Sequence, residues 1–287
     1  MYLLWSNFNL GRDNKIYLMR LEMSYYVRGK LELNSKPLDK IAILEFDLDE
    51  NMSCKPGQYI MAWLPNYGEI PLSPSICDDR KLQLLVEDVG ATSNKFVNLE
   101  VGSYAYFRGP FGNFFDLSRG NKYLLVAGGT GAAPILMAAR NLSKLNAEVI
   151  TIYGGKSRKH LVFLEDFNKY SKKVFAYTED GSFGYSGVVT KDLQNVISSF
   201  LPEVILTTGP EMMMRKVVET SVRNKIYCEA SIVRIIKCAS GVCGSCVLEP
   251  QGLLACKDGP VFSGEVLINS NFGKTMRSES GKEVEIK

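Results

Sequence analysis

Histidine is almost missing from this chain: one residue of the 287, His160, carries an imidazole. A lone ring flanked by Ser157, Arg158 and Lys159 excludes histidine-rich metal sites and argues against a Ser-His-Asp or Cys-His hydrolase, which needs a positioned base. Long apolar runs are missing too. Gly, Lys or Asp interrupts each candidate well short of the roughly 20 residues that a membrane-spanning helix needs. The opening Met1-Tyr2-Leu3-Leu4-Trp5 is too short for the core of a signal peptide, and Asn7, Asn9 and Asp13 soon follow. Neither sign of charge dominates, since 34 basic and 31 acidic residues leave +3 with no basic stripe of the kind a phosphate backbone requires. Internal repeats and low-complexity linkers are absent. The expectation is a cytoplasmic protein that binds neither nucleic acid nor membrane.

What is present is the composition of a folded chain, 46% hydrophobic and 23% charged, long enough for two or three cores. From about Tyr25 to Leu117 short alternating runs are bounded by turn residues. Lys40 to Leu48, Gln58 to Leu64, Lys81 to Glu87 and Tyr104 to Arg108 read as strands of an antiparallel barrel or sandwich. The segment before Met23 is either an added strand or an upstream start. From Lys122 to Lys225 the rhythm changes to strands at Tyr123 to Ala127, Glu148 to Tyr153, Val174 to Thr178 and Glu203 to Thr208, with helical stretches between them. Such alternation implies a parallel sheet. The remainder, Ile226 to Lys287, is irregular and carries most of the cysteines. The expected domains are therefore 1–118, with 1–22 a possible extension, then 119–225 and 226–287.

Seven cysteines are an odd number, four of them crowded between Cys238 and Cys256, which is no disulfide framework of a secreted protein. Cys238, Cys243, Cys246 and Cys256 have the spacing C-x4-C-x2-C-x9-C, matching the plant-type [2Fe–2S] pattern of four thiolates. The residues between them, Ala239-Ser240-Gly241-Val242 and Gly244-Ser245, are small, so the loop can wrap tightly and aim backbone N–H groups at the sulfurs. A structural zinc site is the alternative, although zinc frameworks usually come as two separated C-x2-C knuckles. Cys54, Cys77 and Cys228 read as small buried hydrophobes.

Gly129-Thr130-Gly131-Ala132-Ala133-Pro134 follows a strand and opens a helix, Ile135 to Leu145. Glycines there permit a close backbone approach, the helix N-terminus offers N–H groups to a pyrophosphate, and Pro134 suits the first helical turn. Any tight strand-to-helix connection also favours glycine, so both readings stay open. Two further segments fall at carboxyl ends of strands, where open α/β sheets bind ligands: Thr178-Glu179-Asp180-Gly181-Ser182-Phe183-Gly184 and Gly209-Pro210-Glu211-Met212-Met213. The Met run reads as helix core rather than as a redox feature.

With these pieces in order, the chain resembles the ferredoxin reductase-like superfamily. The resemblance rests on Pro56-Gly57-Gln58-Tyr59, Ile70-Pro71-Leu72-Ser73, Val89-Gly90-Ala91-Thr92, Gly109-Pro110-Phe111-Gly112-Asn113, the glycine turn, Gly209 to Met213 and the cysteine loop, and covers about residues 25 to 270. The tail Cys256-Lys257-Asp258-Gly259-Pro260-Val261-Phe262 looks most like the electron-transfer subunits of dihydroorotate dehydrogenase of the 1B type. The fold so implied is multidomain, β and α/β: an antiparallel flavin-binding β-barrel, a parallel-sheet nucleotide-binding domain and a small C-terminal [2Fe–2S] module. The resemblance implies FAD contacts at Ile70, Pro71, Leu72, Ser73, Leu84, Leu85, Val86, Ala91 and Thr92. It implies nucleotide contacts at Gly129, Thr130, Gly131, Pro134, Asp180, Gly209, Pro210 and Met212, and it places Phe111 to Asn113 at the junction of the first two domains. It also implies a hetero-oligomer with an FMN-containing catalytic subunit, in which electrons run from FMN through the cluster to FAD and on to NAD.

Three departures stand out. Ile70 replaces the arginine that precedes Pro-x-Ser in the usual flavin motif, Val86 replaces a second basic residue, and Thr208 replaces the cysteine often found before Gly-Pro. Two lost cations remove charge-assisted hydrogen bonds to a pyrophosphate, leaving Lys95 or backbone N–H groups to compensate. Lys156, Arg158 and Lys159 follow a strand where a 2′-phosphate could be accepted, or form a solvated edge. No acid–base constellation suited to dihydroorotate is visible, so substrate oxidation is expected on a partner chain. An NAD(P)H–ferredoxin oxidoreductase or hydrogenase diaphorase subunit shares the same domain order and remains an alternative, as does a non-catalytic zinc or redox-sensing module.

Overall fold

The computed structural model describes residues 26–286, so the question of an added strand before Met23 lies outside the described residues. The first sheet takes seven strands: β1 (Val27–Leu38), β2 (Ile41–Leu48), β3 (Tyr59–Leu64), β4 (Gly68–Leu72), β5 (Pro74–Asp78), β6 (Lys81–Glu87) and β7 (Tyr104–Phe111), with helix α1 (Ala91–Val97) between the last two. Their order is β4-β3-β7-β1-β2-β6-β5, every ladder antiparallel. Alternation sets the inner face, as in β1, where Val27, Gly29 and Leu31 are buried and Arg28, Lys30 and Glu32 exposed. Leu44, Phe46, Ile60, Ala62, Leu84, Val86 and Phe107 complete that core.

The edge strands β4 and β5 are consecutive in the chain, with only Ser73 between them, and among the described residues no ladder joins them. Pro71 in β4 and Pro74 at the start of β5 have no N–H to give, which suits both to an edge and leaves a seam at Ser73.

The second sheet contains β8 (Lys122–Gly128), β9 (Glu148–Gly155), β10 (Lys173–Thr178), β11 (Tyr185–Ser186), β12 (Val204–Thr208) and β13 (Tyr227–Ser231), in the order β11-β10-β9-β8-β12-β13 and all parallel. Helices α2 (Ala132–Lys144) and α3 (Leu164–Tyr170) pack on one face, while α4 (Leu193–Phe200) and α5 (Glu211–Arg223) pack on the other. The strand order reverses at β8, and the crevice at such a reversal is where doubly wound sheets bind ligands. Helix α2 begins three residues earlier than the sequence suggests. Pro134 is its third residue, tolerated because first-turn N–H groups have no intrahelical partner.

The cysteine-bearing stretch is not separate from this sheet. It carries a small hairpin, β14 (Val247–Leu248) with β15 (Leu253–Leu254), and returns as β16 (Val261–Ser263), antiparallel to β13. The sheet therefore extends past the 225/226 boundary read from the sequence, and the cysteines lie on a long excursion between two of its strands. Helix α6 (Gly264–Ile268) and the hairpin β17 (Thr275–Arg277) with β18 (Glu283–Glu285) follow. No helix among the described residues is long and apolar enough to cross a membrane.

Candidate functional site

The glycine turn lies where β8 and β12 end side by side. A Cβ on Gly131 would sit 2.5 Å from the Thr208 carbonyl carbon and 2.6 Å from the Gly209 nitrogen, so the close approach of the two strand ends requires glycine. Above them opens a cavity of about 780 Å³, lined by Gly129, Thr130 and Gly131 from one strand end and Gly209, Pro210 and Met212 from the other. Lys156, His160 and Glu179 add polar groups to its rim. His160 is fixed by a 2.9 Å hydrogen bond between its Nδ1 and the Ser157 hydroxyl.

Asp180 does not reach this cavity; its neighbour Glu179 does. The Asp180 carboxylate accepts hydrogen bonds from the Ser182 hydroxyl and N–H at 2.6 and 2.9 Å, which lower its pKa and commit it to a local turn. The Met run divides by helix geometry: Met214 is fully buried core, whereas Met212 is about half exposed and faces the cavity.

A second cavity of about 330 Å³ joins the first, the two sharing Leu85, Glu87, Thr130, Gly131 and Val233 as walls. Its other walls come from the β4–β5 seam (Pro71, Leu72, Ser73), from Pro134 and Thr208, from Tyr59, and from the backbone that follows β13. Of the three residues expected from β6, only Leu85 lines it. Leu84 and Val86 point into the barrel core, as the two-residue period of a strand demands. Ile70 also packs toward that core, Ala91 is exposed at the start of α1, and Thr92 donates its hydroxyl to the Tyr67 carbonyl at 2.6 Å. None of these three lines the cavity. Lys95 does not replace the missing cations there, for its ammonium lies 5.0 Å over the Tyr67 ring. Arg234 borders the cavity, but its guanidinium is committed to a bidentate pair with Glu211, which also accepts the Gly273 N–H. A largely apolar slot with backbone amides at the rim suits the ring system of a flavin, while phosphate groups find no free cation among the described wall residues.

The loop that carries the four cysteines makes a cage beside this slot, in which Cys238, Cys246 and Cys256 lie within reach of one another and the Cys243 N–H is aimed at the Cys238 sulfur. Burial works to raise the Cys238 thiol, but the N–H groups of Cys243, Ser240 and Val242 and the Ser240 hydroxyl outweigh it and hold the thiol at about 5. Cys256 is pushed up by burial and by the hydrogen bond and charge of Cys246, and its N–H lies 3.4 Å from the Cys246 sulfur. Backbone amides aimed at clustered sulfurs are the surroundings that an anionic thiolate cluster needs. Among the described residues no three ligands converge on one point, as a single-ion site asks. Four thiolates shared between two irons make no such demand.

The barrel grips this cage through Gly109 to Asn113. Asn113 donates to the carbonyls of Asp258 and Val261 at 3.0 and 2.7 Å and accepts the Val261 N–H at 2.9 Å. Gly112 has φ +74°, and a Cβ there would lie 2.5 Å from the Gly259 oxygen, so a side chain would force the contact apart. Gly112 and Asn113, expected at the junction of the first two domains, thus meet the exit of the cysteine loop instead. The Tyr59 hydroxyl reaches the Cys256 carbonyl from the same side.

Comparison with known proteins decides the family. Residues 234–268 match the iron–sulfur cluster binding domain of dihydroorotate dehydrogenase B, and residues 125–219 match an oxidoreductase NAD-binding domain. A protein of Methanocaldococcus jannaschii named "Probable dihydroorotate dehydrogenase B (NAD(+)), electron transfer subunit" is 40% identical over 240 residues, 83% of this chain and 91% of that one. The chain belongs to this family of electron-transfer subunits. A Thermoplasma volcanium protein of the same name is 37% identical over 90% of this chain and 97% of its own length. Among solved structures, the NADH-dependent reduced ferredoxin-NADP oxidoreductase aligns with a TM-score of 0.74 at 24% identity, covering 83% of this chain and 88% of that one, a likeness of fold.

Within this family of electron-transfer subunits, the chain has cavity-lining residues that its motifs do not announce. Tyr59 closes the motif Pro56-Gly57-Gln58-Tyr59 and Glu87 ends β6, and neither position by itself signals a cavity wall. Met276 and Ile286 line the larger cavity from beyond the cysteine module, brought there by the last hairpin with no local pattern to announce them. Cys54 and Cys77, both buried as expected, face each other with Cα atoms 5.3 Å apart, within the span that a disulfide can bridge. Cys228 is a buried hydrophobe whose thiol burial raises to about 12.

Proposed function

We propose that the chain carries electrons within a dihydroorotate dehydrogenase complex, holding a [2Fe–2S] cluster on Cys238, Cys243, Cys246 and Cys256, FAD in the smaller cavity and NAD in the larger. The observation that carries this reading is the shared wall: Leu85, Glu87, Thr130, Gly131 and Val233 border both cavities, so two planar rings can meet there. A flavin, when bound, converts between the single electrons of an iron–sulfur centre and the hydride of a nicotinamide.

The chain supplies position and dryness rather than acid–base chemistry. Pro71, Leu72 and Ser73 offer the flavin an edge whose prolines leave the backbone free to face it. Gly129, Thr130 and Gly131 bring a helix N-terminus to the nucleotide's phosphates. Buried Cys246 and Cys256 shelter one side of the cage, while Cys243 is exposed on the other, the side from which an FMN-containing catalytic subunit can approach. Substrate oxidation then belongs to that partner. The division into a flavin domain, a nucleotide domain and a cluster module follows the same assignment, with the nucleotide sheet claiming both stems of the cysteine loop, and thiolate iron chemistry suits a cytoplasmic setting.

Anaerobic purification tests the whole reading. The expected material is brown, contains flavin with iron and acid-labile sulfide, and copurifies with an FMN protein. Colourless protein with zinc at the cysteines and no flavin would reject it.

A further inference from the structure

The smaller cavity and the cysteine cage have one side chain in common. Tyr59 opens β3, lines the cavity, is only 3% exposed, and packs in the same core as Cys246 and Cys256. Its hydroxyl donates to the Cys256 carbonyl at 3.1 Å. Among the described residues of that wall, no other side chain hydrogen-bonds a cage cysteine. Ile236 and Pro260 border the same space but offer only saturated carbon.

We propose that Tyr59 is the bridge by which electrons cross between the cage and the flavin cavity, an inference that rests on the functional reading above. The route runs from the Cys256 sulfur through its own Cβ, Cα and carbonyl, across the hydrogen bond to the phenol, and through the conjugated ring to the cavity. One electron leaves one centre and one arrives at the other. Tyr59 gains and loses none, and its proton stays on oxygen.

The surroundings keep the bridge rigid. The Gln58 amide donates to the Gly112 carbonyl at 2.9 Å, the Phe115 N–H donates to the Pro56 carbonyl at 2.9 Å, and the Phe111 ring lies 5.7 Å from that of Tyr59. The turn that presents the ring is thereby tied to the segment that grips the cysteine loop. A fixed geometry at both ends is what a transfer step between two held centres requires.

The test uses the whole complex and two variants, Tyr59→Phe, which keeps the ring and removes the hydrogen bond, and Tyr59→Leu, which removes both. After rapid mixing with NADH, flavin bleaching and cluster bleaching are followed separately, with flavin content and the visible circular dichroism of the cluster recorded first. The ratio of cluster rate to flavin rate falls severalfold in Tyr59→Phe and further in Tyr59→Leu. An unchanged ratio in a loaded Tyr59→Leu overturns the bridge; should that variant fail to load, an unchanged ratio in Tyr59→Phe does so. Wild-type protein lacking flavin or iron overturns the functional reading instead, so the two failures are told apart.

Discussion

The glycine turn after β8 and the cysteine loop after β13 leave parallel strands of one sheet at the same end, separated only by β12. Both present backbone to a site, the first at the floor of the larger cavity and the second with N–H groups aimed at cysteine sulfur. Their confinement differs. At Gly131 the space for a methyl group is already taken by the backbone of Thr208 and Gly209, whereas the tip of the cysteine loop is open, with Val242 83% exposed. The turn is specified by what it cannot contain, and the loop by four donors between two anchored stems. Substitutions should therefore act sterically and locally in the first, chemically and completely in the second.

The sharpest separation comes from Cys243→Ser. Loss of an exposed ligand should abolish the iron chromophore and electron flow to the partner while nucleotide binding and flavin content persist, as metal analysis and absorption spectroscopy would show. Retained iron with full activity would break the comparison. Next in size is the tie between the two regions. Arg234 at the root of the loop, its side chain fully buried, pairs with Glu211 beside the larger cavity. Arg234→Met strands a buried carboxylate and should lower unfolding stability by about 3–5 kcal/mol, with much of it regained in the double variant that adds Glu211→Leu. Chemical denaturation of both proteins measures this.

Gly131→Ala should cost about 1–3 kcal/mol of local fit and weaken nucleotide binding roughly tenfold, with the cluster spectrum unaltered. Titration calorimetry with NAD reads the loss, and unaltered affinity would show that the strand ends can part. The smallest effect concerns Glu229 on the stem β13. Burial raises its carboxyl above 4.5 despite hydrogen bonds from the Asp116 N–H and the Tyr227 hydroxyl. The native state then binds this proton more tightly than the unfolded chain. Its contribution to stability is complete below about 4.5 and is lost as pH rises through the higher native value. Glu229→Gln should flatten that decline, measured as denaturation midpoints from acidic to neutral pH.

Much of this arrangement is legible in the amino acids alone. Period-two runs delineate barrel strands such as Lys81 to Glu87, continuous apolar runs such as Tyr123 to Ala127 mark buried parallel strands, and cysteine spacing marks the cage. The same period, applied within β6, separates Leu85 from its neighbours Leu84 and Val86, which a motif-level assignment had grouped together. Asp180 misled because its loop is acidic at two adjacent positions and a local turn claims one of them. Strand β16 has three residues after Gly-Pro and no periodicity, so its membership of the sheet arises only from pairing with β13. The walls supplied by Met276 and Ile286 are likewise products of tertiary folding, far in sequence from the turn they face.

The two stems of the cysteine loop bear on biogenesis. Because the returning stem, Val261–Ser263, pairs only with β13, a nascent chain has no completed cage until nearly all of it has left the ribosome. The cysteine loop is in that sense a late piece of the molecule, closed together with the last walls of the larger cavity, Met276 and Ile286, and a chain halted before residue 261 lacks the strand that pins the loop's exit against β13.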